Sequence, residues 1–192
     1  MLQGMTAHYL VTSTYPVQPG DSVLVHAAAG GVGQLLVQMA KARGGVCHRD
    51  GLHRAEGGGR PTRGRRSGVI RYEALSTDEL ASEVRRRNHD APVQVVYDGV
   101  GQATFDASLA TLAPRGMLVL YGASSGQVPP VDPQRLNRGG SLYLTAADAR
   151  ALHCDPRGAA LAGTEVLRAI AEGTLRLDIG GKYPLRECCA GV

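Results

Sequence analysis

The stretch DSVLVHAAAGGVGQLLVQMAKARG, residues 21–44, decides the fold. Ser22 to Ala27 form a short apolar run of the kind a buried strand needs, and a glycine turn follows. Val32, Leu35, Leu36, Met39 and Ala40 then recur at helical spacing. Three glycines at such a turn have separate jobs. They allow a tight reversal, let backbone N–H groups approach a pyrophosphate, and let the helix pack closely on the strand. The helix N-terminus then presents its positive dipole end to the diphosphate. A glycine-rich turn alone is weak evidence, but between a buried-type strand and an amphipathic helix it is strong.

Outward from this unit the pattern repeats. MLQGMTAHYL opens the chain as an amphipathic helix. GVIRY (68–72) reads as a strand, and STDELASEVRRR as a helix with Ser76 or Thr77 as N-cap and acids in its first turn. VQVVYDGVG (93–101) reads as a buried strand and loop, and FDASLATLAPRG as a helix closed by Pro114 and Gly116. MLVLYGASSG (117–126) is a further strand and loop, GSLYLT (140–145) another strand, and TEVLRAIAEG a helix stopped by Gly173. Alternating strands and helices predict an α/β fold with a doubly wound, mostly parallel Rossmann sheet. Ligands bind beyond the carboxyl ends of such strands. Four loops converge there: Ala28–Gly33, Tyr72–Ala74, Asp98–Gly101 and Tyr121–Ser125.

Composition narrows the function classes. At 192 residues and 43% hydrophobic, the chain has the size and composition of one globular domain. No apolar run reaches the roughly 18 residues a membrane helix needs, and no signal peptide opens the chain, so a cytoplasmic setting is expected. The formal net charge of +4 comes wholly from one run, Arg54, Arg60, Arg63, Arg65 and Arg66 against Glu56. Nucleic-acid binders carry a basic stripe on a folded face, with aromatic residues where bases stack. An Arg/Gly run without an aromatic argues against that class. Cys47, Cys154, Cys188 and Cys189 fit neither a CxxC pair nor a zinc spacing, and His48 and His53 lack a second cysteine nearby, so zinc is expected to be absent.

LQGMTAHYLV, HAAAGGVGQLLVQMAKARG, VVYDGVG, LYGASSG and GGSLYLT together resemble the cofactor domain of NADPH-dependent quinone oxidoreductases. These are zeta-crystallin-like, zinc-free members of the medium-chain dehydrogenase/reductase superfamily. The resemblance covers residues 1–44, 69–145 and 164–187, and it implies a nucleotide-binding domain over 1–187. It implies a cofactor-binding set of Thr6, Ala29, Gly30, Gly31, Val32, Tyr72, Val100, Tyr121, Gly122 and Ser124. Gly31 and Val32 would meet the pyrophosphate and Tyr72 the adenosine end. Val100, Tyr121, Gly122 and Ser124 would flank the ribose and nicotinamide, with Thr6 approaching the nicotinamide. The implied cofactor is NADPH, and the implied substrate a quinone or related conjugated carbonyl. The implied assembly is a homodimer joined at the edge strand 141–145. The family's amino-terminal barrel-like domain, the other wall of its substrate cleft, is expected to be absent.

One stretch breaks the resemblance. Residues 45–67 form a Gly/Arg-rich insert where the second strand–helix unit belongs, so that unit is expected to be disrupted. Asp50 lies 20 residues after Gly30, the position of an acid that binds the adenosine ribose, but it does not end an apolar strand. Back-translated and read one nucleotide later, residues 47–53 can spell V-I-A-T-V-S, which the family pattern would place here. Residues 147–161 and 187–190 shift in the same direction to family-like sequence, and all four cysteines fall in these segments. The stretch is therefore read as frame-shifted. It leaves the choice between NADPH and NADH open, since Arg54 or Arg60 would reach a 2′-phosphate only by accident. Weak NADPH binding and no measurable quinone turnover are expected of these residues. No Ser-His-Asp set, metal cluster or carboxylate pair appears, so no catalytic residue is assigned, and His26 reads as a core residue. The competing reading is a non-catalytic fragment of such a reductase.

Overall fold

The computed structural model describes residues 1–49, 75–148 and 156–177. Tyr72, the expected strand at 68–72, Asp50, Arg54, Arg60, Cys154, Cys188 and Cys189 lie outside the described residues, as do residues 50–53, 149–155 and 187–190 of the shifted segments.

Helix α1 (Leu2–Tyr9) widens into a π-helical turn (Leu10–Thr14) and leads to β1 (Ser22–Val25). Then follow α2 (Gly31–Ala42), β2 (Val46–Arg49), α3 (Thr77–Arg87), β3 (Val93–Asp98) and α4 (Phe105–Thr111). The described chain continues through β4 (Leu112–Leu120), α5 (Pro133–Arg138), β5 (Tyr143–Ala146) and α6 (Pro156–Ala171). All five described strands are parallel, in the order β2-β1-β3-β4-β5.

The strand period of two divides the core between the two faces of the sheet. Val23, Val25, Val95, Tyr97 and Val119 point to one side, where α1, the π turn, α2 and α6 bury Ala7, Leu10, Leu36, Ala40 and Val166 against them. Leu24, Val96 and Leu118 point to the other, against Leu80 and Val84 of α3 and Phe105 of α4. Helix α3 starts on a capping box: Glu79 N–H donates to Ser76 Oγ, and the Glu79 carboxylate accepts from Ser76 N–H.

Of the strand–helix unit expected to be disrupted over 45–67, the strand part forms: Val46–Arg49 pair in register with Ser22–Val25, and residues 50–67 lie outside the described residues. A ladder is made by backbone groups and needs only side chains that fit the two faces. Cys47 fits one face, buried with its thiol 3.7 Å from Val37 O. His48 fits the other, 8% exposed with Nε2 3.0 Å from Asn88 Oδ1. The ordering-entropy argument concerns a Gly/Arg run, which these four residues precede. Residues 46–49 thus give no structural support to a shifted frame. Two boundaries also move. Leu112 already pairs with Val93, so β4 takes over where the helix was expected to continue to Pro114. Helix α6 starts at Pro156 rather than Thr164.

Candidate functional site

At the end of β1 the chain turns sharply. His26 N–H still donates to Tyr97 O (2.9 Å), and Ala27 then adopts a left-handed conformation, φ 54°. Gly30 N–H closes the turn on Ala27 O at 2.9 Å, and Gly30 caps α2. The next N–H groups, of Gly31, Val32 and Gly33, precede any helical carbonyl they could bond, so they are the donors a helix N-terminus offers an anion. The glycines divide the work as the sequence suggested. A β-carbon on Gly33 would collide with the Ala27 carbonyl and lie 2.8 Å from Ala28 Cα, so residue 33 serves close helix–strand packing. A β-carbon on Gly31 would meet first the flexible Gln3 carboxamide, with Cδ at 2.6 Å, so residue 31 faces the side chains of α1 rather than the strand backbone.

Beside this turn lies a cavity of about 330 Å³. Leu2, Gln3 and Thr6 of α1 form one wall, Val32 and Tyr121 another, and Ala147 and Asp148 after β5 complete it. Helix α1 is held in place by its neighbours. Gly4 packs on Val166, where a β-carbon would come within 2.9 Å, and His8 Nε2 pairs with Glu165 Oε2 at 2.6 Å. Below α1, the Tyr97 hydroxyl donates to Leu10 O of the π turn (3.2 Å) or to Tyr15 O just after it (3.1 Å), and burial raises its pKa. Burial, with Asp21 close by, pushes Tyr15 up to about 12. These anchors fix the angle at which Thr6 meets the cavity.

The loops after β3 and β4 are stitched together. Asp98 is fully buried; its Oδ1 accepts from Val100 N–H (2.7 Å) and Gly101 N–H (3.0 Å), and its Oδ2 from Thr104 Oγ (2.7 Å). Ser125 N–H and Oγ both donate to Val100 O, at 2.8 Å each. Tyr121 N–H donates to Asp98 O (2.9 Å), and its hydroxyl to His26 O (3.1 Å). The end of that ring rests on Gly99, where a β-carbon would lie 2.8 Å from it.

Of the expected cofactor residues, Thr6, Val32 and Tyr121 come together on the cavity. Ala29, Gly30 and Gly31 form the exposed turn beside it. Gly122 and Ser124 are exposed on the adjoining loop, whereas Val100 is 1% exposed and packs into the core instead of lining the cavity. Sequence reasoning missed Leu2, Gln3, Ala147 and Asp148. Gln3 lies one helical turn before Thr6, so α-helical spacing would have found it. Ala147 and Asp148 follow the carboxyl end of a parallel strand, where such sheets bind ligands. Sequence reasoning also saw no Ser-His-Asp set, yet the fold brings His26, Ser108 and Asp98 together, all at 0% exposure. Serine sits between the other two, shut off from solvent, which is the wrong arrangement for a nucleophile activated by histidine. Among the described residues no group of three or more His, Cys, Asp or Glu side chains is placed to hold a metal ion, and no helix is long and apolar enough to cross a membrane.

Comparison with known proteins agrees with this geometry. Quinone oxidoreductase 1 of Escherichia coli is 34% identical over 188 residues, covering 97% of this chain and 56% of its own. The 2-haloacrylate reductase of a Burkholderia species is 35% identical over 192 residues, covering 99% and 56%. A mycobacterial protein solved in complex with NADPH is 42% identical with a TM-score of 0.85, over 97% of this chain and 57% of that one. The chain thus spans little more than half the length of the relatives it matches. Residues 68–190 match the family model of the zinc-binding dehydrogenases, and the chain belongs to that family.

Proposed function

We propose that the chain binds NADPH across the glycine turn and the cavity beside it, as the nucleotide-binding part of a reductase that passes hydride to a quinone or a related conjugated carbonyl. The observation that carries this reading is the juxtaposition of the α2 N-terminus with a cavity walled by Thr6, Val32 and Tyr121, beyond the carboxyl ends of β1, β3 and β4. Gly31 leaves that side of the turn without a β-carbon, and the first N–H groups of α2 are free of helical acceptors, so the residues present fit a pyrophosphate. The nicotinamide supplies the hydride when bound. The chain's own residues bind, orient and exclude water: α2 holds the diphosphate, and Thr6 and Tyr121 bound the space for the reacting ring. Names of relatives, quinone oxidoreductase and 2-haloacrylate reductase, favour an electron-poor conjugated acceptor. A homodimer through β5 and a cytoplasmic setting belong to the same reading, and nucleic acid has no part in it.

Titrating the chain with NADPH and following nicotinamide fluorescence tests the proposal. Saturable binding that Gly31→Asp abolishes supports it, because a carboxylate there would fill and repel the phosphate position; equal binding by that variant overturns it. NADPH oxidation that depends on added quinone and disappears in Gly31→Asp would make these 192 residues an enzyme in their own right. Binding without oxidation would leave them a binding module.

A further inference from the structure

The buried His26–Ser108–Asp98 chain joins the three loops of the candidate site, and its proton inventory is restrictive. Ser108 Oγ has three neighbours: Thr104 O at 2.8 Å, His26 Nε2 at 2.9 Å and Asp98 Oδ2 at 3.1 Å. A hydroxyl has one proton to donate and lone pairs to accept. Thr104 O only accepts, and so does an ionised Asp98, so both compete for that proton. The one neighbour able to give Ser108 a proton is His26, which requires its ring proton on Nε2. With that proton on Nε2, donation runs from His26 to Ser108, and from Ser108 to Asp98 in competition with Thr104 O.

Each end of this chain reaches the site. Asp98 holds Val100 and Gly101 N–H, which shape the loop after β3. His26 begins the glycine turn, and its carbonyl holds the hydroxyl of Tyr121, a wall of the cavity. Pre-organised binding groups need neighbours that lock them, and a fully satisfied buried polar network does this where an apolar contact would allow sliding. We propose that His26 and Ser108 are positioning residues. By donating from Nε2 through Ser108 to Asp98, they set the relative placement of the glycine turn, the 98–101 loop and Tyr121 for the dinucleotide. The proposal rests on the dinucleotide reading given above.

The test uses the whole chain and begins without ligand. Long-range 1H–15N spectra should show His26 protonated at Nε2, with slow exchange of the Val100 and Gly101 amides. His26→Leu and Ser108→Ala should speed exchange at those two amides while β1 and β3 keep their protection. They should raise the NADPH Kd by about tenfold, the worth of one buried hydrogen bond. His26→Gln, which keeps a donor in reach of Ser108, should restore affinity to within about twofold of the parent, a rescue that simple core filling by leucine would not give. A His26 ring protonated only at Nδ1, or a His26→Leu variant that binds NADPH like the parent, overturns the proposal. If the parent shows no resonance change with NADPH, the dinucleotide reading fails instead, and the tautomer and the two amides still decide the coupling. Should His26→Leu not fold, Ser108→Ala and the parent's tautomer remain decisive.

Discussion

Gly33 lies so close to Ala27 that a β-carbon at residue 33 would run into the Ala27 carbonyl and sit 2.8 Å from Ala28 Cα. Two residues earlier, a β-carbon on Gly31 would meet first the movable Gln3 carboxamide. The glycines therefore fail differently. Gly33→Ala must push helix α2 off the strand end and should cost on the order of 2–3 kcal/mol, as overpacking against fixed backbone does. Gly31→Ala should change stability by less than about 1 kcal/mol while weakening NADPH. Urea denaturation of the two variants, set beside NADPH titration, checks the split.

Strand β2 makes the fold sensitive to acid. Burial lowers the His48 pKa below the ordinary 6.5; its hydrogen bond with Asn88 partly opposes this, and Arg87 and His89 add to the lowering. In the unfolded chain His48 takes up its proton first. The contribution is fully present above pH 6.5 and is lost as pH falls through 6.5 towards the lower folded value. The urea midpoint should drop between pH 7.5 and 5.5, and His48→Gln should flatten that part of the profile. An unchanged slope would mean that His48 is not buried in solution.

The capping box gives a second pH-linked contribution. Hydrogen bonds from Ser76 lower the pKa of Glu79 at the start of α3. A lowered carboxylate stabilises the fold above its unfolded value of 4.5 and stops doing so as pH falls below it. Ser76→Ala should cost about 1 kcal/mol at neutral pH, the usual worth of an N-cap. Thermal unfolding at pH 7 measures it.

Among the described strands β5 pairs on one side only, with β4, and Tyr143 at its start is 51% exposed. A free edge with an exposed aromatic is a pairing surface. Self-association through 141–145 is expected, and Tyr143→Lys or Leu144→Pro should reduce it. Light scattering at rising concentration decides; a monomer at every concentration in the parent chain would contradict the proposed dimer.

Some of this molecule was legible as a string of residues. The 21–44 unit specified strand, turn and helix because its apolar spacing, its glycines and the period change from two to 3.6 all agree. The same local agreement placed β3 and β5; the family resemblance, not the local pattern, named Thr6, Val32 and Tyr121, which line one cavity. Tertiary structure alone decided the rest, because those outcomes depend on partners far away in sequence. Val46–Arg49 form a strand although Cys-His-Arg is a poor strand signal, since β1 offers an unpaired ladder and Asn88, 40 residues on, satisfies His48. Val100 is buried on its loop, with its N–H held by Asp98, a partner set by tertiary packing. Gln3 and Asp148 joined it because α1 and the end of β5 meet over the glycine turn. His26, Ser108 and Asp98 show the same division. Each is an ordinary polar residue in its own segment, and only the packing of α4 against the ends of β1 and β3 makes them a single hydrogen-bonded chain.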